Sequence, residues 1–274
     1  MDQAKVVEHI VNWLKGYAQK AGARGFVIGV SGGIDSALTS TLCAMTGLET
    51  WVLEMPIHQG TEQVNRSTKH INWLCANFEE VYPDELDLTR SYDDLDRSFE
   101  EKLMKDTDRE TYFLTMANTR SRLRMLTLYA YATIKGVLVC GTGNKVEDFG
   151  VGFYTKYGDG GVDISPIADL MKSEVYDIAR HLNISKTILE APPTDGLWDD
   201  DRTDEDQIGA TYRELEIAMK IQDQFGIDPP QNAFSSQREK DVWGIYRSRH
   251  LANKHKMIPI PVCTIPDAYR NPST

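Results

Sequence analysis

Ser31, Asp35 and Ser36 fall within one short stretch, Gly29-Val30-Ser31-Gly32-Gly33-Ile34-Asp35-Ser36. Hydroxyls and backbone N–H groups around a glycine turn bind anions, and phosphate is the usual guest. Adjacent glycines let the chain turn sharply and approach a ligand closely. An apolar run, Phe26-Val27-Ile28, enters the turn, and a helix-forming run at 37–45, closed by Gly47, leaves it. The first turn of such a helix aims unpaired N–H groups at whatever the loop holds. Asp35 would repel a phosphate unless a cation stood between them, so its presence points to Mg²⁺. Helix capping accounts for one Ser or Asp here, not for the whole run. The mononucleotide P-loop is excluded because no Lys follows Gly33, and Gly-x-Gly-x-x-Gly is absent.

A second candidate is Gly141-Thr142-Gly143-Asn144-Lys145-Val146-Glu147-Asp148, with a hydroxyl beside a glycine turn and two adjacent carboxylates. A ligand loop and a plain helix start capped by Thr142 or Asn144 both fit it. Beyond it, residues 150–166 carry five glycines among the first twelve, with Phe153, Tyr154, Lys156 and Tyr157 between them. That texture predicts a loop closing over a ligand rather than a stable helix.

Strands and helices must hold these loops. Apolar spacing predicts a helix over 2–20, with Val6, Val7, Ile10, Trp13 and Leu14 on one face. Strands follow at 26–30, 50–56 and 79–88, with a helix at 62–77 and an acidic, solvated helix or lid at 91–105. The longest helix runs over 109–135, with a predicted core stripe of Phe113, Met116, Leu123, Leu126, Ala130 and Ile134. Val137-Leu138-Val139-Cys140 reads as a central parallel strand. Helices are predicted at 170–182, 204–223 and 237–254, with a loop at 188–202 whose acidic run Asp199-Asp200-Asp201 reads as a solvated turn. Alternating strands and helices imply an α/β doubly wound parallel sheet with helices on both faces, a single domain over 1–274. Ligands of such sheets lie at the carboxyl ends of the strands, where the 31–36 and 141–148 loops both sit.

The formal charge of −11, from 30 basic and 41 acidic residues, argues against nucleic acid as the main partner. Apolar residues are 41% of the chain, enough for a sizeable core, and no run approaches a membrane span. The amino terminus lacks the form of a signal peptide, so a cytoplasmic setting is expected. Cys43, Cys75, Cys140 and Cys263 are spaced too far apart for a Cys-x-x-Cys site and read as buried free thiols.

Ser31 to Ser36 resembles the pyrophosphate-binding loop of the ATP pyrophosphatases. Taken in order with Gly141-Thr142 and Glu147, with 153–163 (Phe-Tyr-Thr-Lys-Tyr-Gly-Asp-Gly-Gly-Val-Asp), with Ala191-Pro192-Pro193-Thr194 and with His255-Lys256, the chain resembles ammonia-dependent NAD synthetase over essentially its whole length. That resemblance implies a Rossmann-like, adenine nucleotide α-hydrolase-like fold. It implies amidation of deamido-NAD by ammonia, with ATP cleaved to AMP and pyrophosphate through an NAD-adenylate. It also implies residue roles. Gly29, Val30, Ser31, Gly32, Gly33, Ile34, Asp35 and Ser36 would hold ATP together with Thr142, Lys172 and Thr194, and Lys172 would assist the chemistry. Asp35 and Glu147 would bind Mg²⁺. Arg122, Lys156, Asp163, His255 and Lys256 would contact deamido-NAD. Asp163 is also the proposed acceptor of a proton from ammonium. A homodimer is implied.

Some details stay open at this level. Periodicity favours Arg120 and the resemblance Arg122, with Arg124 beside them. Met55 to Gly60 departs from the family pattern where adenine is contacted. One residue is inserted between Glu147 and Lys156, and no stretch corresponds to a glutamine amidase domain, so free ammonia is the expected nitrogen source. Rival readings are a GMP synthetase-like enzyme, a tRNA thiolation enzyme, and an ATP sensor without turnover.

Overall fold

The computed structural model describes residues 1–103, 105, 107–194 and 203–270. Four parallel strands form one sheet: β1 (Gly25–Gly29), β2 (Glu49–Glu54), β3 (Val81–Glu85) and β4 (Leu138–Val139), in the order β3-β2-β1-β4. Helices α1 (Gln3–Ala21), α2 (Ile34–Ala44), α3 (Thr61–Asn77), α4 (Thr89–Leu103) and α5 (Arg109–Lys135) surround them in the first half. Then come α6 (Lys172–His181), α7 (Lys186–Leu189), α8 (Asp204–Ile208), α9 (Tyr212–Phe225), α10 (Gln237–Met257) and α11 (Asp267–Arg270).

Side chains of β1 alternate between two cores, as a pleated strand requires. Phe26 and Ile28 join Leu14, Leu38 and Ile178 of α1, α2 and α6. Val27 joins Leu53 and Val139 with Met116 of α5. Helices therefore cover both faces. A further cluster packs α9 and α10 through Leu215, Trp243 and Tyr246 against Val146 and Val151. The chain moves from β1 to β2 to β3 in one direction and returns to place β4 on the other side of β1. The loops after β1 and β4 consequently diverge around one crevice, the usual ligand position in this topology.

Several elements differ from the reading by sequence. Leu126 and Ile134 of the predicted α5 stripe are 64% and 78% exposed, whereas Thr119, Arg120, Ser121 and Thr127 are buried. Trp13, placed on the inner face of α1, is exposed. The helix expected over 204–223 breaks at Gly209, which takes φ +88. Residues Val146–Val151, whose start was open between a ligand loop and a helix capped by Thr142 or Asn144, form one turn of π-helix. Cys43 and Cys140 are buried as expected, but Cys75 and Cys263 are exposed. The run Asp199-Asp200-Asp201 lies outside the described residues. Among the described residues no helix is long and apolar enough to cross a membrane.

Candidate active site

β1 delivers the first loop. Gly32 has φ +81, and a Cβ there would stand 2.7 Å from the Gln63 carbonyl oxygen of α3, so only glycine fits. The Ser31 and Ser36 hydroxyls lie 3.1 Å apart. Gly33 N–H donates to Ser31 Oγ at 3.3 Å, and Ser36 Oγ–H donates to the Gly33 carbonyl at 3.0 Å. The result is a tight cup at the start of α2, in which Asp35 occupies the first turn.

β4 delivers the second loop. Asn144, fully buried, uses Oδ1 to cap Val146 and Glu147 N–H, and its Nδ2 donates to Asp35 Oδ1 at 3.2 Å. One amide thus starts the π-helix and orients the carboxylate of the other loop. Lys172, the first residue of α6, is buried. Its Nζ donates to Asp35 Oδ2 at 2.6 Å and to Glu147 Oε1 at 3.0 Å. The Tyr212 hydroxyl is within 2.6 Å of Glu147 Oε1 and 3.1 Å of Asp204 Oδ2. Burial opposes the Lys172 charge, but the two carboxylates outweigh it and hold the ammonium protonated above its ordinary range. Burial pushes the Asp35 carboxyl upward.

These loops open into a cavity of about 870 Å³. Gly29, Val30, Ser31, Gly33, Asp35, Ser36, Thr142, Glu147 and Thr194 line it. Gly32 and Ile34 do not: the first packs on α3 and the second is buried in the core. Lys172 sits behind the lining, between the two carboxylates.

The opposite wall is basic. Arg122, Lys156, His255 and Lys256 all line the cavity. Lys156 Nζ donates to the His255 carbonyl at 2.8 Å, while Lys256 Nζ donates to the Gly152 and Tyr154 carbonyls at 2.9 and 2.8 Å. The lysines therefore tie the end of α10 to the glycine-rich segment. Among the three α5 arginines, Arg120 is buried with its guanidinium over the Tyr92 ring. Arg122 and Arg124 line the cavity, and Arg124 donates to the Met55 carbonyl and to Gln59 Oε1.

Asp163, expected to contact deamido-NAD, lies outside the residues that line the cavity: it is exposed, its Oδ1 accepts from Tyr129 OH at 3.0 Å and its Oδ2 from Val139 N–H at 2.8 Å. Those partners give it a place at the sheet edge beside β4. Asp148 and Asp159 join Asp35 and Glu147 among the carboxyls that line the cavity. Asp159 accepts from Ser121 Oγ and Thr155 N–H. Burial, together with Glu147, Asp159 and Asp35, raises the Asp148 carboxyl to about 8. Tyr212 was not picked out by sequence, whereas Asn144 was named only as a helix cap and Arg124 only as one of three candidate arginines. Tyr212 carries no motif, and its role follows only from α9 packing against the π-helix.

Asp35 and Glu147 present two hard oxygen donors to the cavity, each with its carboxylate less than a fifth exposed. Among the described residues no group of three or more His, Cys, Asp or Glu forms a ready cage. Two carboxylates, completed by phosphate oxygens and water, suit Mg²⁺.

Comparison with known proteins adds the following. The NAD synthase family model matches residues 6–257. An NH3-dependent NAD⁺ synthetase of Mycoplasma genitalium is 38% identical over 218 residues, covering 79% of this chain and 83% of the relative. The structure of NMN synthetase from Francisella tularensis superposes with TM-score 0.81 at 30% identity, covering 97% and 100% of the two chains. The NH3-dependent NAD synthetase from Campylobacter jejuni gives 0.73 at 25%, covering 96% and 100%.

Proposed function

The chain belongs to the NAD synthase family, and on that premise we propose how its own residues perform the reaction. It is a ligase that amidates deamido-NAD with ammonia at the expense of ATP. The observation that carries this reading is the meeting of Asp35 and Glu147, from two loops at one sheet edge, on Lys172.

The nicotinate carboxylate attacks the α-phosphorus of ATP, and pyrophosphate leaves. Ammonia then attacks the carbonyl carbon of the adenylate, giving the amide and AMP. The first step is in-line displacement, so positioning and charge neutralisation matter more than a protein nucleophile. The Ser31–Ser36 cup holds the β and γ phosphates at the helix start. Lys172 stands against the charge that grows on the leaving pyrophosphate. Thr142 and Thr194 contact ATP. Mg²⁺ held by Asp35 and Glu147 would supply further neutralisation of phosphate charge. Arg122, Lys156, His255 and Lys256 hold the anionic second substrate against the opposite wall. The setting we propose is cytoplasmic and the working form a homodimer, with exposed Leu126, Ala130 and Ile134 of α5 at its contact.

A second reading concerns substrate length. The Francisella tularensis NMN synthetase superposes better, and at higher identity, than the Campylobacter jejuni NAD synthetase. Nicotinate mononucleotide is therefore a candidate acceptor. Initial rates with deamido-NAD and with nicotinate mononucleotide, each with ATP and ammonium, test both. Amide formed only from the dinucleotide supports the first reading. A higher kcat/KM on the mononucleotide supports the second. Amide from neither contradicts the family activity for this chain.

A further inference from the structure

Arg249, Asn253 and Lys256 are spaced along α10 so that they share one face of that helix, and all three line the cavity. Each reaches a main-chain carbonyl on an element packed against α10. Asn253 Nδ2 donates to the Val151 carbonyl at 2.9 Å, Lys256 Nζ to those of Gly152 and Tyr154, and Arg249 Nη2 to that of Gln207 in α8. What each has left over differs. Asn253 carries no charge, and Lys256 has Asp159 within electrostatic reach. Arg249 is half-buried, and among the described residues no carboxylate pairs with it. Burial pushes its guanidinium down, and its charge in turn opposes that of Lys256.

A half-buried cation without a carboxylate is costly unless an anion completes it. A guanidinium does not escape by losing its proton, and its remaining N–H groups form a planar fork that fits two oxygens of one phosphate. A carboxylate fits the same fork. The nicotinate carboxylate, however, has to attack phosphorus, and two charge-assisted hydrogen bonds would hold down the lone pairs it attacks with. A phosphate carries no such demand. We propose that Arg249 clamps a phosphate group of a bound nucleotide, two guanidinium N–H groups donating to two of its oxygens while the Gln207 carbonyl fixes the plane of the fork. This rests on the amidation reading above for the identity of the nucleotides. ATP and deamido-NAD both bring phosphates to the cavity, and the test separates them.

Titration calorimetry measures the affinity of the wild type, Arg249→Gln and Arg249→Met for ATP with Mg²⁺ and, separately, for deamido-NAD. Arg249→Gln keeps an N–H for the Gln207 carbonyl and loses the charge, whereas Arg249→Met loses both. Both variants are expected to bind one of the two nucleotides about tenfold or more weaker and the other within about twofold of wild type. Arg249→Gln is expected to unfold at the wild-type temperature. A loss confined to ATP places the clamp on its phosphates, and a loss confined to deamido-NAD places it on those of the second substrate. Unchanged affinity for both nucleotides overturns the inference. So does an equal loss for both, or a loss in Arg249→Met alone, either of which makes Arg249 a strut for α8. Calorimetry needs no turnover. A wild type that binds both nucleotides yet forms no amide therefore contradicts the amidation reading and leaves the Arg249 result standing, while a wild type that binds neither overturns both.

Discussion

Lys172 Nζ lies 2.6 Å from Asp35 Oδ2 while also reaching Glu147 Oε1 at 3.0 Å, so one buried ammonium joins the loop after β1 to the loop after β4. The two loops are far apart in sequence, and Lys172 and Asn144 together fix their separation.

Replacing that lysine tests the bridge. Lys172→Met leaves two mostly buried carboxylates facing each other with no cation between them. Loss of one partner from a buried ion pair costs on the order of 3 kcal/mol. Thermal unfolding should report that loss, and pyrophosphate exchange should fall by about 100-fold or more. Wild-type exchange in Lys172→Met would remove the lysine from the chemistry.

Tyr212→Phe removes the hydroxyl that reaches Glu147 and Asp204. Glu147 then keeps Lys172 but loses its second anchor. A lost hydrogen bond of this kind corresponds to about 1–2 kcal/mol. The Mg²⁺ concentration giving half-maximal rate is expected to rise about tenfold, with the ammonium KM unchanged. Titration of rate against Mg²⁺ checks this, and an unaltered Mg²⁺ curve would contradict it.

Stability should depend on His70. The residue is 2% exposed, its Nε2 is 3.0 Å from Ser40 Oγ, and burial lowers its pKa to about 4. The unfolded chain binds the proton near pH 6.5 and the folded chain only near 4. Stability is therefore complete above about 6.5 and is lost as pH falls through that window. The loss between pH 7 and pH 5 is about 2 kcal/mol. His70→Asn should be less stable at pH 7 but show a flatter Tm between pH 7 and 5. An identical pH slope in the variant would contradict this account.

The exposed face of α5 carries the homodimer proposal. Leu126→Asp combined with Ile134→Asp places charge at the contact and should shift sedimentation from dimer to monomer. A wild-type chain that sediments as a monomer at micromolar concentration contradicts the proposal directly.

The sequence made local geometry readable. The β1–turn–α2 unit, Asp35 and Glu147 were legible because short spacing and glycine chemistry determine them. Asn144 stood in the motif but gave no sign of reaching across to Asp35, 109 residues away. Tyr212 was invisible for the same reason, since nothing in α9 signals a partner in the π-turn. On α5 the stripe was correct at Met116 and Leu123 but not at Leu126 and Ile134, which face solvent. The inner face there is also cavity wall, so it carries the buried Ser121. Asp163 was named through the family resemblance, and no local spacing announced the bonds its carboxylate accepts from Tyr129 and the Val139 N–H.

The most direct test of the central claim follows phosphorus and nitrogen together. The protein is mixed with ATP, Mg²⁺, deamido-NAD and ¹⁵N-ammonium, and phosphorus and nitrogen NMR are recorded over time. The account predicts AMP and pyrophosphate in equal amounts, with ¹⁵N appearing in a nicotinamide carboxamide at the same rate. Formation of ADP and orthophosphate, or AMP released without ¹⁵N entering the carboxamide, would contradict it.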